Sequence, residues 1–232
     1  MSALLAHRGF TASPRALEAP RGFVQVVSDK RAWHEASDEL GTRFEISFNT
    51  YKPFACGIVI HPSIDACVQL RERGITPEQV ARIELRVHPL VLELTGKKEP
   101  RDGLGAKFSV YHGCAAGLIF GRAGEAEFAD AIVNRPDVVA LRRKVEATAD
   151  PAVDEAGADV TAMLGDGQRV QIRIEHAIGS LQRPLSDAQL AAKFAALVEP
   201  VLGAAKVAAI GAKCNELAAL ADVRDLVALC RP

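Results

Sequence analysis

Apolar and polar positions alternate along the middle of the chain in the way that is typical of strands. Ile83, Leu85 and Val87 alternate with charged neighbours, which predicts a strand with one buried face. Two further alternating segments flank the sequence Gly-Asp-Gly at 165–167, and together they predict a β-hairpin. A shorter strand is expected over 144–149. The middle of the chain is therefore expected to contain a small sheet.

Helical spacing surrounds these predicted strands. A proline at a first helical position predicts a helix over about 62–73, and the apolar spacing over about 106–120 predicts a second. Ser186 and Gln189 have the spacing of a capping box, so a helix is expected to begin there, with alanine-rich helical sequence following it. The apolar residues of 1–50 are too scattered to close a core alone. The pattern therefore predicts an α+β middle between two helical stretches.

Composition narrows the range of partners and compartments. The chain has 28 Lys and Arg against 29 Asp and Glu, so it lacks the basic face that nucleic acid or an anionic membrane requires. No apolar run reaches the length of a membrane span. The five cysteines include no C-x-x-C pair, which predicts reduced thiols in a cytoplasmic protein and no zinc site. The acidic run over 150–159 is interpreted as a solvated loop, with a hard metal ion as the alternative.

The first candidate for chemistry is a lysine and a histidine near the start of the α+β segment. Lys52 lies in the opening loop, and His61 immediately precedes a predicted helix whose free N–H groups favour an anion. One interpretation is that Lys52 neutralises a substrate carboxylate while His61 acts as acid or base. The alternative, which spacing alone favours, is a solvated lysine and a histidine that caps a helix.

The second candidate lies at the start of the helix predicted over 106–120. Helical spacing places Tyr111 on the apolar stripe, and it places Ser109 and His112 together on another face that is able to line a pocket. Lys107 precedes them. The alternative is a core tyrosine with surface lysine and histidine side chains.

Five motifs follow one another along the chain in this order: Lys52-Pro53-Phe54-Ala55-Cys56, His61-Pro62, Ile64-Asp65-Ala66, Lys107-Phe108-Ser109-x-Tyr111, and Pro184-Leu185-Ser186 with Lys193-Phe194. Taken together, these motifs resemble the MmgE/PrpD family. The resemblance spans nearly the whole chain but covers only the carboxyl-terminal half of a typical member.

The resemblance implies a domain organisation and a set of roles. It implies that 51–183 form an α+β lid domain inserted between 1–50 and 184–232, two segments of an all-helical domain. It implies chemistry on a small di- or tricarboxylic acid without a cofactor and generally without a metal. It assigns Lys52 to carboxylate binding and charge stabilisation, and His61 and Tyr111 to substrate orientation or proton transfer. The substrate-binding residues that we expect beside them are Lys107, Ser109 and His112.

Two functional hypotheses follow from the sequence. In the first, the chain is the lid-bearing part of a cytoplasmic lyase or isomerase that dehydrates, decarboxylates or epimerises a small polycarboxylate. A separate amino-terminal helical chain or a homodimer partner then supplies the remaining residues, since the family's acidic and histidine residues on the helical domain have no counterpart here. In the alternative, the chain is a non-catalytic or vestigial binding or dimerisation module that retains the lid fold.

Overall fold

The computed structural model describes residues 1–30 and 32–231, and these divide into two compact units. The first unit, Met1–Phe48, contains two short helices, α1 (Ser2–His7) and α2 (Phe23–Val27). Its described residues include no buried apolar side chain, as the scattered apolar pattern predicts. The second unit runs from Asn49 onward and contains the sheet and the main core.

The second unit is an α+β structure built on a mixed four-stranded sheet in the order β2-β1-β3-β4. Strands β1 and β2 pair in parallel, whereas β1–β3 and β3–β4 pair antiparallel. The predicted hairpin is confirmed, with its turn at 165–167. The strands are β1 (Val80–Val87), β2 (Val145–Ala149), β3 (Ala158–Leu164) and β4 (Arg169–Ile174).

Helices cover one face of this sheet and form the core with it. The parallel pair β1–β2 requires a crossover, and five helices occupy that connection. The helices of the second unit up to the end of the crossover are α3 (His61–Glu72), α4 (Pro89–Thr95), α5 (Gly103–Ala106), α6 (Val110–Phe120), α7 (Asp130–Val133) and α8 (Pro136–Arg142).

The central contact is between α3 and α6, which approach each other closely. A methyl group at Gly113 would lie 2.9 Å from the side chain of Ile64, and one at Gly117 would lie 3.0 Å from the Ile64 carbonyl oxygen. Only glycine therefore allows this spacing at the two positions. The interface fixes α3, whose first residues were predicted to carry chemistry.

The prediction of a single helix over 106–120 is wrong in one respect, because the structure has two helices there, α5 and α6. Ser109 has extended backbone and is the N-cap of α6, with its Oγ accepting a hydrogen bond from the His112 N–H at 3.1 Å. A serine side chain that satisfies a free N–H group favours a helix start over a helix interior. Phe108 consequently lies outside the helix and is half exposed.

The carboxyl-terminal part of the second unit is helical. It contains α9 (Asp187–Leu202), α10 (Ala204–Asn215) and α11 (Arg224–Leu229). The predicted capping box is confirmed, since Ser186 and Gln189 exchange both hydrogen bonds at the start of α9. None of the helices in the described residues has the length and apolar character needed to cross a bilayer.

Candidate functional site

Three segments of the second unit are joined by backbone hydrogen bonds into one wall. The Ala55 N–H donates to the Ala123 carbonyl at 2.9 Å, and the Gly57 N–H donates to the Lys107 carbonyl at 3.1 Å. Loop 52–57, which contains Pro53, is thereby held beside 105–109 and 121–127. We call these three segments the cationic wall, because each contributes a basic side chain.

The cationic wall borders a groove of about 1550 Å³. Lys52, Lys107 and Arg122 all line it. One face of α3 and one face of α9 form the opposite sides of the groove. The face of α9 consists mainly of small and apolar side chains, and it also carries Lys193. The groove has the mixed character of small-molecule sites, which combine apolar lining with a few polar groups. The other polar lining side chains are Asp65, Gln69, Glu72, Arg73, Glu125, Glu127, Arg183 and Gln189.

The basic side chains of the cationic wall differ in their partners. Lys107 Nζ lies 2.7 Å from a carboxylate oxygen of Glu125, and Arg122 Nε lies 2.8 Å from one of Glu127. Lys52 has no carboxylate partner within the described part of the chain, and its Nζ reaches only the Cys56 carbonyl oxygen, at 3.4 Å. The wall therefore carries three cations against two carboxylates, which favours an anionic ligand near Lys52.

His61 lies behind this wall, outside the residues that line the groove. Its ring is 3% exposed and meets the edge of Phe54, with centroids 5.4 Å apart. Burial, with a smaller contribution from the charge of Lys52, lowers the pKa of His61 from 6.5 to about 4, while a hydrogen bond to the Cys56 backbone and the charge of Asp65 act in the opposite direction. His61 is therefore neutral at pH 7, and its buried Nε2 has no hydrogen-bond partner among residues 1–30 and 32–231.

The position of His61 predicts acid sensitivity. Because its pKa is lower in the folded state, the unfolded chain binds the extra proton, and stability falls as the pH drops from 6.5 towards 4. The loss is roughly 3 kcal/mol for a shift of this size. His61→Gln should flatten the free energy of unfolding over this range in urea titrations. If the free energy of unfolding of His61→Gln depends on pH as steeply as that of the wild type, the assignment is contradicted. The control variant is His34→Gln, at an exposed histidine.

The remaining predicted site residues lie in the core. Tyr111 is buried and has Lys98 Nζ 5.8 Å from its ring centroid. Burial raises the pKa of its hydroxyl. His112 is fully buried and its Nε2 pairs with the Glu127 carbonyl at 3.0 Å, while burial lowers its pKa. Ser109, also buried, serves as the helix cap described above. Of the six predicted residues, Lys52 and Lys107 are brought together on the groove.

The thiols near the groove belong to the core. Cys56, Cys67 and Cys114 are buried and free. Burial raises the pKa of Cys56 to about 12. A hydrogen bond with Cys67 and burial raise the pKa of Cys114 well above its usual range. Cys56 and Cys114 are therefore protonated at neutral pH, so they are poor nucleophiles and metal ligands.

Comparison with known proteins decides the family. Residues 54–217 match the model of the MmgE/PrpD C-terminal domain, which is more than half of the chain. The chain belongs to the MmgE/PrpD family. The match includes Lys107 and Arg122 of the cationic wall, and it begins two residues after Lys52.

Two curated relatives show how far the similarity of this MmgE/PrpD chain extends. It is 25% identical over 198 residues to a 2-methylcitrate dehydratase from Salmonella typhimurium, an alignment that covers 78% of this chain and 41% of the relative. It is 26% identical over 163 residues to a cis-aconitate decarboxylase from Mus musculus, covering 66% of this chain and 33% of the relative. The chain thus spans about two fifths or less of the length of these relatives.

The MmgE/PrpD groove also contains residues that sequence reasoning left without a role. Asp65 is buried and accepts hydrogen bonds from Gln69 Nε2 (3.0 Å), the Ile178 N–H (2.9 Å) and Arg183 Nη1 (2.7 Å). It thereby ties α3 to the segment that leads into α9. Asp65 stands in a family motif, but its partner Arg183 is 118 residues away, and no local pattern reveals that contact.

Proposed function

We propose that this chain binds a small di- or tricarboxylic acid in the groove and contributes Lys52 to a lyase or isomerase reaction of the MmgE/PrpD type. The observation that carries the proposal is Lys52, a cation on the groove without a carboxylate partner in the described residues. The names of two relatives, a dehydratase and a decarboxylase acting on tricarboxylic acids, support this substrate class.

The proposed chemistry places negative charge next to a substrate carboxylate. Dehydration, decarboxylation and epimerisation each develop charge on the carbon adjacent to a carboxylate, and that charge spreads onto the carboxylate oxygens. A lysine fixed beside those oxygens stabilises the transition state more than the ground state. Lys52 has this role in the proposal, and Lys107 binds the same substrate. His61, buried against Phe54, positions the wall in this proposal, and buried Tyr111 belongs to the core of α6.

We further propose that turnover needs residues that this chain does not contain. The relatives are more than twice as long as the region that aligns with this chain. In this proposal 51–183 are the lid, while 1–50 and 184–232 pack with a helical complement from a separate chain or a second subunit. The free thiols fit a cytoplasmic location, where disulfides are rare.

Binding and turnover test the proposal separately. The full chain should bind tricarballylate, an unreactive tricarboxylate, in isothermal titration calorimetry. With the rest of the Salmonella typhimurium relative supplied as a separate chain, we expect loss of 2-methylcitrate or cis-aconitate. Absence of tricarballylate binding at millimolar concentration would overturn the proposal. Binding without turnover would favour a non-catalytic binding module.

A further inference from the structure

Arg122 occupies an unusual position on the cationic wall. It follows Gly121, whose φ of +69° is left-handed, and it lies one residue before the hydrogen bond that joins Ala123 to loop 52–57. Its side chain is 74% exposed, yet it lines the groove together with Lys52. A long exposed side chain is normally mobile, so its orientation requires a partner.

Glu127 is that partner, and its own position is fixed. Its side chain is 5% exposed, and its Oε2 accepts a hydrogen bond from the Gly124 N–H at 2.8 Å. Its Oε1 accepts from Arg122 Nε at 2.8 Å. The Glu127 backbone is also fixed, because its carbonyl pairs with buried His112. A buried carboxylate requires a compensating charge, so Glu127 holds the guanidinium in one orientation.

The pairing leaves the end of the guanidinium free. Only Nε of Arg122 bonds to protein within the described residues, so Nη1 and Nη2 remain as a fork that matches the two oxygens of a carboxylate. Lys107 differs, since its single ammonium group is already engaged by Glu125, an exposed residue. Lys52 and Arg122 therefore present two separate carboxylate-binding groups on adjacent segments.

We propose that Arg122 binds the second carboxylate of the substrate and sets the preference for dicarboxylates over monocarboxylates, with Glu127 as its positioning residue. This inference rests on the proposed function, because it assigns a second group of the same site. Lys52 binds the carboxylate next to the reacting carbon, and Arg122 binds the remote one. The groove is then specific for acids with two carboxylates on a short chain.

A matched pair of ligands tests this assignment. Glutarate and pentanoate have the same carbon chain and differ by one carboxylate, and NMR titration of the full chain gives both affinities. The wild-type chain should prefer glutarate. In Arg122→Gln that preference should fall about tenfold, the usual effect of losing one charge-assisted contact, with pentanoate binding unchanged. Glu127→Gln should lower the preference in the same direction. Arg224→Gln, at an exposed arginine paired with Asp222, should leave it unchanged.

The outcomes separate the two proposals. If the wild-type chain binds neither of these acids nor tricarballylate, the proposed function fails. If it prefers glutarate and Arg122→Gln keeps that preference, the proposed function stands and the assignment of Arg122 is wrong. A purely structural role for the Arg122–Glu127 pair would lower the melting temperature without changing the ratio of the two affinities.

Discussion

Replacing Lys52 by glutamine is expected to lower the affinity for tricarballylate about tenfold, because one charge-assisted contact is lost. In the completed enzyme the same change should lower kcat by about 10²-fold or more, since the charge that develops on the substrate loses its stabilising cation. Lys52 is on the surface, and among the residues that the structure describes its side chain makes only a long hydrogen bond to a carbonyl, so the melting temperature should be unchanged. Calorimetry and initial rates measure the two effects.

Two control variants make this result specific. Lys213→Gln removes a positive charge on α10, outside the groove lining, and should bind tricarballylate like the wild type. Lys107→Gln should have a smaller effect than Lys52→Gln, because Glu125 already neutralises Lys107. Equal losses in Lys52→Gln and Lys213→Gln would show a general charge effect and remove Lys52 from the site.

Replacing Ile64 by alanine is expected to lower the free energy of unfolding by about 2–5 kcal/mol. Ile64 is fully buried, and its side chain fills the space against α6 that Gly113 leaves open. An added Cβ at Gly117 would lie only 3.0 Å from the Ile64 carbonyl oxygen, so the two helices have little room to move together and fill the cavity. Urea unfolding followed by circular dichroism measures the change.

The matched control is Ile58→Ala, a change of the same size at an isoleucine that is 57% exposed. It should change stability by less than about 0.5 kcal/mol. A similar loss in both variants would show that the contact between α3 and α6 is not the centre of the core. A small loss in Ile64→Ala would show the same.

The sheet could be predicted from the sequence because its signals are local. Alternation at Ile83, Leu85 and Val87 reports one buried face, and the turn at 165–167 fixes the hairpin without information from elsewhere in the chain. The capping box at Ser186 is equally local. At Ser109 two local signals compete, since apolar spacing continues through a residue whose side chain caps the helix. Spacing alone predicted one long helix there.

The groove could be predicted only in part. Lys52 and Lys107 were selected from their motifs, and the structure places both on the same wall. Their proximity depends on the hydrogen bond between Gly57 and the Lys107 carbonyl, which joins segments 50 residues apart and leaves no periodic signal. Glu127 and Arg122 were missed for a related reason, because in the sequence a carboxylate that the fold buries looks the same as an exposed one.

The most direct test is NMR chemical-shift mapping of tricarballylate on the isotopically labelled full chain. The proposed site predicts that the largest shifts fall in the three segments of the cationic wall, 52–57, 105–109 and 121–127, and that Lys52→Gln needs about tenfold more ligand to produce them. Shifts confined to residues outside the groove, or no shifts at saturating ligand, would contradict a carboxylate site at Lys52.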